Sequence, residues 1–405
     1  MQNFEHFLST IIDYCNQNSD IRSVMQVTIR NHGQLSALSQ GNELQHLNSS
    51  IVSALEKFLV KAGKFKIFQY NRHCFCFLES SDFNLLNTLS IGIHDFLVRH
   101  LGMSIFADTR FVATKIDKHS DIKNLVNLLS DQLHYSEDHS IFNWIEDADL
   151  QIKKLREDYS NLYELRKSIS EHTACFAFQP IIQCSTGKVA YYECLLRLNN
   201  EDHKLISAGR YIMLAEKYGY INSVDKYVFE NAIAELISAP DLSISINISN
   251  LGVQDKVLVN HYKNLLSDSG VGNRLIIEIT ETAMNDSFEQ TKYFVDTMKS
   301  LGCKIALDDF GAGYTSFSQV RKFAVDIIKI DGSFITDINT NEKNRILVET
   351  IIKTAEELGC KTVAEFVENG SIAKQLIDLK VDYMQGNFFS PAINYRSWNK
   401  ITKQS

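Results

Sequence analysis

The pattern of apolar and polar positions changes near residue 173, and the two parts predict different architectures. Before about residue 145, amphipathic helical segments, such as the one containing Phe4, Leu8 and Ile11, alternate with short β-branched runs. From residue 173 onward, short apolar runs recur with helical segments between them. The chain therefore predicts two α/β parts of different construction.

Residues 1–145 are predicted to form one α/β domain. Its helices are expected near residues 4–15, 44–58, 84–101 and 122–133, and its strands near 24–29, 65–70, 74–78 and 109–114. The second and third of these strands flank the short polar break at residues 71–73, a spacing that is typical of a β-hairpin.

A single helix is predicted for residues 146–172. Its apolar positions recur every three or four residues, with charges between them: Ile152, Leu155, Tyr159, Leu162, Leu165 and Ile169. We expect this stripe to pack on a domain or on a second copy of the chain. A continuous helix could also relay orientation between the domains, and the sequence leaves these alternatives open.

Residues 173–405 predict a closed (β/α) barrel. Eight apolar runs serve as its strands, at residues 176–182, 191–198, 243–248, 275–279, 304–307, 327–330, 362–364 and around 382–384. Helical segments fit between them, and this alternation is typical of a TIM-like barrel.

Polar residues lie within or just after these apolar runs. In chain order they are Gln179, Glu193, Asn247, Glu278, Asp308 with Asp309, Lys329, Glu365 and Gln385. Polar groups in a barrel lumen are costly unless they are paired, and strand ends meet at the face where barrel active sites lie. Several carboxylates and an amide oxygen suit Mg²⁺ or Mn²⁺, and their number indicates two ions, an arrangement that clamps a phosphodiester during displacement.

The segment from Asp308 to Gly313 concentrates this chemistry. Asp308 and Asp309 are adjacent, and Gly311 and Gly313 follow them. Neighbouring carboxylates repel each other unless they are solvated or hold a cation, and glycines let a loop close on a ligand. The same residues are common in exposed turns, so the interpretation as a metal site depends on the other strands.

Composition narrows the class of protein. The 405 residues carry a formal net charge of −8, which argues against nonspecific binding to a nucleic acid polymer. No apolar run approaches the roughly 20 residues that cross a bilayer, and the N-terminus lacks a basic signal region, so we expect a cytoplasmic protein. The eight cysteines contain no CxxC pair and predict neither a zinc site nor a disulfide framework.

Eight motifs carry a family resemblance, and they read Phe178-Gln179-Pro180-Ile181, Glu193-Cys194-Leu195-Leu196-Arg197, Ile246-Asn247-Ile248-Ser249, Glu278-Ile279-Thr280-Glu281, Asp308-Asp309, Ile328-Lys329-Ile330-Asp331, Ala364-Glu365-Phe366-Val367-Glu368 and Gln385-Gly386-Asn387-Phe388-Phe389-Ser390. In this order and spacing, residues 175–391 resemble the EAL domain family of cyclic di-GMP phosphodiesterases. The resemblance implies hydrolysis of cyclic di-GMP to linear pGpG; the alternative is a catalytically silent receptor of the same dinucleotide.

The resemblance also implies residue roles. One metal ion would be held by Glu193, Asn247, Glu278 and Asp308. Asp308 would bridge to a second ion held by Asp309, and Glu365 would complete the cluster. Lys329 would orient or deprotonate the attacking water, and Glu281 would hold the loop at residues 309–314. Gln179, Arg197 and Gln385 would contact guanine or phosphate.

Three positions depart from the family pattern without removing a ligand. Cys194 stands where Ala is typical, Phe366 where Gly is typical, and Asn387 where an aromatic residue is usual. We expect Phe366 to tilt the end of its strand or to narrow the pocket, and Asn387 to weaken stacking on guanine.

The element order of residues 1–145 resembles a GGDEF, or diguanylate cyclase-like, domain. That family's catalytic acids would fall at His73 and Cys74, and residues 28–31 lack its metal-binding Asp. The resemblance therefore implies a degenerate domain that makes no cyclic di-GMP and could instead sense a nucleotide or a regulatory protein. A homodimer is compatible with the apolar stripe of the linking helix.

Overall fold

The computed structural model describes residues 4–31, 43–71, 73–100, 108–135, 140–199, 204–281, 283, 287–311 and 321–396. Gly313 and the rest of the loop that follows Gly311 lie outside these residues, as does Arg72 in the predicted hairpin break. The chain folds into two compact units, Met1–Ser160 and Asn161–Ser405. None of the described helices combines the length and the apolar character that crossing a bilayer requires.

The first unit is built on a five-stranded sheet in the order β2-β3-β1-β4-β5. Its elements are α1 (Phe4–Gln17), β1 (Ser23–Ile29), α2 (Glu43–Leu59), β2 (Phe65–Tyr70), β3 (His73–Leu78), α3 (Phe83–His100), β4 (Thr109–Lys115), α4 (Ile122–Tyr135) and β5 (Phe142–Ile145). β2 and β3 pair antiparallel with Tyr70 opposite His73, which confirms the predicted hairpin.

The central strand of this sheet is buried on both faces. Met25 and Val27 of β1 pack with apolar residues of α2 and α3, whereas Val24 packs with residues of α1 and α4. Successive side chains of a strand point to opposite faces, so the continuous apolar run of β1 contributes residues to the hydrophobic core on each side of the sheet. The mixed α/β class predicted for this part is confirmed.

One long helix, α5 (Ala148–Ser170), follows β5. It contains the predicted apolar stripe, and the boundary between the two compact units falls within it. Ile152 belongs to a core of the first unit, and Leu165 and Ile169 belong to the core of the second. The division of the chain into residues 1–145, 146–172 and 173–405 stays a prediction.

The second unit contains a closed eight-stranded barrel in the order β6-β14-β13-β12-β11-β10-β9-β7, with β7 pairing back to β6. Its elements are β6 (Cys175–Gln183), β7 (Val189–Asn199), β8 (Leu205–Ser207), α6 (Gly209–Lys217), α7 (Ile221–Ser238), β9 (Ile244–Asn247), α8 (Asn250–Gln254), α9 (Lys256–Ser269), β10 (Leu275–Thr280), α10 (Phe288–Ser300), β11 (Lys304–Phe310), β12 (Ile327–Ile330), α11 (Gly332–Ile335), α12 (Glu342–Leu358), β13 (Lys361–Ala364), α13 (Gly370–Asp378) and β14 (Tyr383–Met384). All eight predicted barrel strands are present.

The expected alternation of strands and helices is wrong for the first pair of barrel strands. β6 runs antiparallel to both of its neighbours, β7 and β14, and a short turn rather than a helix joins β6 to β7. As a consequence, Gln179 lies within β6 directly opposite Glu193 of β7 instead of at the end of a parallel strand.

A buried carboxylate outside the barrel supports the segment that follows β9. Asp225 of α7 is 4% exposed and accepts a hydrogen bond of 2.6 Å from the Ser249 hydroxyl. The same hydroxyl accepts from the Gly252 backbone N–H at 3.0 Å and so caps the N-terminus of α8. Burial raises the pKa of Asp225 to about 7, although the hydrogen bonds from Ser249 lower it.

We expect this carboxylate to make stability depend on pH. Between its unfolded pKa of about 4 and its folded pKa of about 7, only the folded state keeps the proton, so the unfolding free energy falls as pH rises. Relative to Asp225→Asn, wild-type protein should lose about 3 to 4 kcal/mol between pH 4.5 and pH 8. Urea unfolding across that range measures this difference.

The matched control is Asp296→Asn, because Asp296 is an exposed carboxylate of α10 that pairs with Lys292. Its pH profile should follow the wild type. Parallel profiles for Asp225→Asn and wild type would show that Asp225 ionises normally in the folded protein.

Candidate functional site

The predicted site residues form one layer of the barrel lumen. A small apolar cluster fills the lumen below them, comprising Ile181, Tyr191, Ile276, Ala306, Ile327, Val363 and the partly buried Tyr383. Each of these residues lies two positions along its strand from one of Gln179, Glu193, Glu278, Asp308, Lys329, Glu365 and Gln385. Residues two apart on a strand share a face, so the polar side chains lie in the next layer toward the barrel mouth.

Lys329 is the centre of this layer. Its Nζ lies 2.6 Å from Glu278 Oε2, 2.8 Å from Asp308 Oδ1 and 2.8 Å from Glu365 Oε1. Glu193 Oε2 is further away, at 3.9 Å. Since the Lys329 side chain is only 2% exposed, these contacts replace nearly all of its hydration. One ammonium therefore faces four carboxylates, three from other strands and one, Glu365, directly after β13.

The charges of this group determine its protonation. Burial lowers the pKa of Lys329, but the surrounding carboxylates outweigh burial and raise it well above its ordinary value. Burial raises the pKa of Glu278 well above its usual range despite Lys329, and it raises the pKa of Glu365 to about 7. The ammonium thus stays charged, whereas the excess negative charge is poorly compensated.

A chain of amide hydrogen bonds connects the other side of the layer. Asn247 donates from Nδ2 to Glu193 Oε1 at 2.9 Å, and Gln385 donates from Nε2 to Glu193 Oε2 at 2.5 Å. Gln385 Nε2 also lies 3.0 Å from Gln179 Oε1, and Gln179 donates in turn to the Ser390 carbonyl at 3.3 Å. The antiparallel course of β6 makes this contact with Gln179 possible.

Asp308 and Asp309, near the end of β11, form a second group of acids together with Glu365. Carboxylate oxygens of Asp308, Asp309 and Glu365 lie within 4.8 Å of one another. Burial, together with Asp308 and Asp331, raises the pKa of Asp309 to about 6. Asp309 also has a left-handed backbone with φ of 54°, a conformation that Asp tolerates better than most residues. This turn lets two consecutive residues both present carboxylates to the site.

The side-chain oxygens of this layer fit a divalent cation. Glu278 Oε1, Asp308 Oδ1 and Gln385 Oε1 are buried without a hydrogen-bond donor among the described residues. For Asp308 Oδ1, the ammonium of Lys329 lies at ion-pair distance but not in hydrogen-bonding geometry. Buried oxygens without donors are costly, and carboxylate and amide oxygens are the donors that Mg²⁺ and Mn²⁺ prefer.

The remaining predicted residues lie at different distances from this layer. Glu281 is buried after β10 and accepts a 3.3 Å hydrogen bond from the Gly311 N–H, at the start of the loop that it was expected to hold. Arg197 lies on the same face of β7 as Glu193, four residues further on, and donates to the Leu196 carbonyl at 3.0 Å. Cys194 points the other way, into the core between barrel and helices.

A pocket of about 340 Å³ opens over the layer. Its lining residues are Gln179, Glu193, Leu195, Asp308, Asp309, Lys329, Glu365, Phe366, Glu368, Gln385, Gly386 and Asn387. Arg197 is absent from this lining. Leu195 and Glu368 also belong to it, although no role was predicted for either; each lies in a family motif within three residues of a predicted site residue, and this position was the signal in the sequence.

Phe366 does not disturb the strand that precedes it. β13 keeps its parallel register with β12 up to Ala364, and Glu365 remains in contact with Lys329. The residue has a left-handed backbone with φ of 51°, and its ring lies against Gly332. Of the two expected effects of Phe366, tilting of the strand end is therefore not seen in the register of β13, whereas the ring does line the pocket.

Comparison with known proteins identifies the family. The family model described as "EAL domain" matches residues 163–392, which is more than half of the chain. The chain belongs to the EAL domain family. The resemblance seen in the motifs is thus confirmed.

Two curated relatives each match more than half of the chain. Signaling protein YkoW of Bacillus subtilis is 32% identical over 234 residues, covering 56% of this chain and 29% of the relative. Cyclic di-GMP phosphodiesterase PdeF of Escherichia coli is 31% identical over 239 residues, covering 58% and 32%. The alignments with this chain thus span about a third of the length of these relatives.

Solved structures share the fold. The PaMucR phosphodiesterase in complex with c-di-GMP has a TM-score of 0.55 and 26% identity, covering 58% of this chain and 97% of that one. LapD of Vibrio cholerae, as an S helix-GGDEF-EAL chain bound to c-di-GMP, covers 94% of this chain and 92% of its own at a TM-score of 0.53. At 18% identity, the second similarity concerns the fold alone.

Replacement of Lys329 tests the electrostatics of the layer. Among the described residues, Lys329 is the cation in contact with the carboxylates of this layer, so we expect Lys329→Met to lower the unfolding free energy in EDTA by about 3 to 5 kcal/mol. Millimolar Mg²⁺ should restore part of this loss by supplying positive charge to the same oxygens. Urea denaturation with and without Mg²⁺ measures both effects.

Lys353→Met is the matched control, since Lys353 is an exposed lysine of α12 paired with Glu349. It should change stability by less than about 1 kcal/mol. Equal stabilities for wild type and Lys329→Met in EDTA would contradict the strong coupling of Lys329 to the carboxylates.

Proposed function

We propose that this protein hydrolyses cyclic di-GMP to linear pGpG in a reaction that depends on Mg²⁺ or Mn²⁺. The observation that carries the proposal is the buried layer in which one ammonium faces four carboxylates and several oxygens lack donors. Family membership supports it, and so do relatives whose names describe cyclic di-GMP phosphodiesterases.

Two metal ions are part of the proposal. Glu193, Asn247, Glu278 and Asp308 would hold one ion, and Asp308, Asp309 and Glu365 would hold the other; the distances among these last three support this assignment. When bound, such ions polarise the phosphodiester and lower the pKa of water near them. Asn247 would turn its amide oxygen inward, because its Nδ2 already donates to Glu193.

The chain's own residues would position the reactants. Lys329 carries three donors and stays protonated, so it is suited to orient the attacking water and less suited to deprotonate it. Gln179 and Gln385 would offer amide groups to guanine or phosphate from the pocket lining. Arg197, further along β7, would reach only a part of the substrate that extends beyond the pocket. Water would add to one phosphorus while one of its P–O ester bonds breaks; the water gives up one proton, and the departing ribose oxygen takes one up and leaves as a hydroxyl.

Glu281 is proposed as the residue that holds the segment after Asp309. Its carboxylate accepts the Gly311 N–H, so it limits the movement of the residues that follow the two adjacent acids. We expect its loss to affect turnover through the position of Asp309, because its carboxylate holds the Gly311 backbone two residues further along the chain.

Turnover is tested with purified protein, cyclic di-GMP and either Mg²⁺ or Mn²⁺, with pGpG followed by chromatography. Glu193→Ala should lower kcat by about a hundredfold or more, because a lost ligand removes several kcal/mol of charge stabilisation. The control is Glu349→Ala, an exposed glutamate of α12, which should leave kcat unchanged.

Each outcome has a distinct meaning. Tight binding of cyclic di-GMP without pGpG formation would contradict the enzyme and favour a receptor of the dinucleotide. Unchanged turnover in Glu193→Ala would contradict the proposed ligand set while leaving the activity itself intact.

We further propose that the first unit is a degenerate GGDEF-like domain. Its sheet order and its hairpin support this, and the hairpin tip carries His73, whose Nδ1 lies 3.1 Å from Gln26 Nε2, followed by the buried Cys74. Neither residue can bind a metal as a carboxylate does. Binding of a nucleotide or a regulatory protein there, a homodimer and a cytoplasmic location remain predictions.

Incubation with GTP and Mg²⁺ checks this assignment. No cyclic di-GMP should form, because nucleotide condensation needs carboxylate-held metals that the hairpin tip lacks. Using Glu193→Ala for the assay prevents consumption of any product, and an authentic diguanylate cyclase serves as the positive control. Formation of cyclic di-GMP would contradict the degenerate assignment.

A further inference from the structure

Phe366 occupies an unusual position at the mouth of the barrel. It is 61% exposed, although it is a large apolar residue, and it lines the pocket beside Glu365. It is the one aromatic side chain among the described residues that line this pocket. The fold therefore gains little from burying this ring.

The backbone of Phe366 is also unfavourable for its side chain. A φ of 51° is rare for a bulky residue, since the side chain crowds the backbone in the left-handed region. Such conformations persist where surrounding structure imposes them, and they cluster at functional sites. An exposed ring on a strained backbone points to a function outside folding.

The ring packs closely against Gly332. A Cβ atom built on Gly332 would lie 2.3 Å from Phe366 Cδ2 and 2.6 Å from its Cγ. The glycine therefore permits an approach that any other residue would prevent. Asp331, which precedes it, caps the N-terminus of α11 and so fixes the backbone on which the ring rests.

We propose that the exposed face of the Phe366 ring is the wall on which one base of the substrate stacks. This inference rests on the proposed function, since it assigns a contact to a cyclic dinucleotide. The rest of the pocket is dominated by carboxylates, amides and Lys329, which suit phosphates, cations and base edges. A purine also presents a flat, weakly polar face, and an aromatic ring is the partner that such a face prefers.

Fluorescence of a cyclic dinucleotide containing 2-aminopurine tests the stacking directly. EDTA prevents turnover in this assay. Stacking quenches the fluorescence of 2-aminopurine, so the fluorescence should fall when the dinucleotide binds to the wild type. Phe366→Gly should weaken binding roughly tenfold or more and abolish the quenching. Phe366→Trp should retain both, since it preserves an aromatic face.

The control for the backbone change is Lys380→Gly. Lys380 also has a left-handed backbone, with φ of 65°, and lies outside the pocket lining. Lys380→Gly relieves the same kind of backbone strain without removing a ring. Its affinity for the dinucleotide and its fluorescence quenching should therefore match those of the wild type. Steady-state kinetics of cyclic di-GMP with Mg²⁺ give a second readout, with KM expected to rise in Phe366→Gly more than kcat falls.

Gly332→Ala examines the contact beneath the ring. The added methyl group should displace the ring and weaken binding in the wild-type background, yet have little further effect in Phe366→Gly. A double-mutant cycle on the dissociation constants measures this coupling. Equal effects of Gly332→Ala in both backgrounds would show that the ring does not depend on Gly332.

The outcomes separate this inference from the proposed function. Absence of both binding and hydrolysis in the wild type would overturn the proposed function. Wild-type hydrolysis with unchanged affinity and KM in Phe366→Gly would overturn only the stacking role. An increased kcat/KM in Phe366→Gly would show that the ring obstructs the pocket and would also overturn it.

Discussion

The contact between Lys329 and the carboxylates of the barrel lumen is the interaction on which the site depends. Acidic side chains that leave water lose hydration, and they repel one another in the interior. One buried ammonium within 2.8 Å of Glu278, Asp308 and Glu365 offsets part of that cost. Because one positive charge cannot balance all of these acids, the same layer retains the negative charge that divalent cations require.

The barrel explains how side chains distant in sequence reach this layer. An apolar layer fills the lumen, and the side chain two residues away from each of its members, toward the barrel mouth, is polar. β6 extends the layer by running in the opposite direction, so that Gln179 meets Gln385 and closes the amide chain around Glu193. Outside the barrel, Asp225 supports the segment after Asn247 through the cap of α8.

Two residues with a left-handed backbone lie at the mouth of the barrel. Asp309 and Phe366 both have positive φ, and both lie at or next to strand ends that line the pocket. At Asp309 the turn directs a second carboxylate to the site, and at Phe366 it places a ring beside Glu365, which keeps its contact with Lys329. A positive φ thus presents a charged carboxylate to the pocket at Asp309 and an apolar ring at Phe366.

The sequence by itself determined the two α/β parts, the eight barrel strands and the polar residue of each strand, whereas the assignment of oxygen ligands to metal ions stays a prediction. These properties depend on periodicity and composition, which are local. Strand direction was decided only in the tertiary structure, because an apolar run has the same period in either direction, and so was the pairing of Gln179 with Gln385.

The contacts of single side chains were likewise decided by the fold. Arg197 lies outside the pocket lining, and the ring of Phe366 rests on Gly332 rather than tilting its strand. Both outcomes depend on backbone torsions and on residues far away in the chain, since Phe366 and Gly332 meet only when β12 and β13 pair in register. The spacing of residues along the sequence does not reveal which of them come into contact in the folded chain.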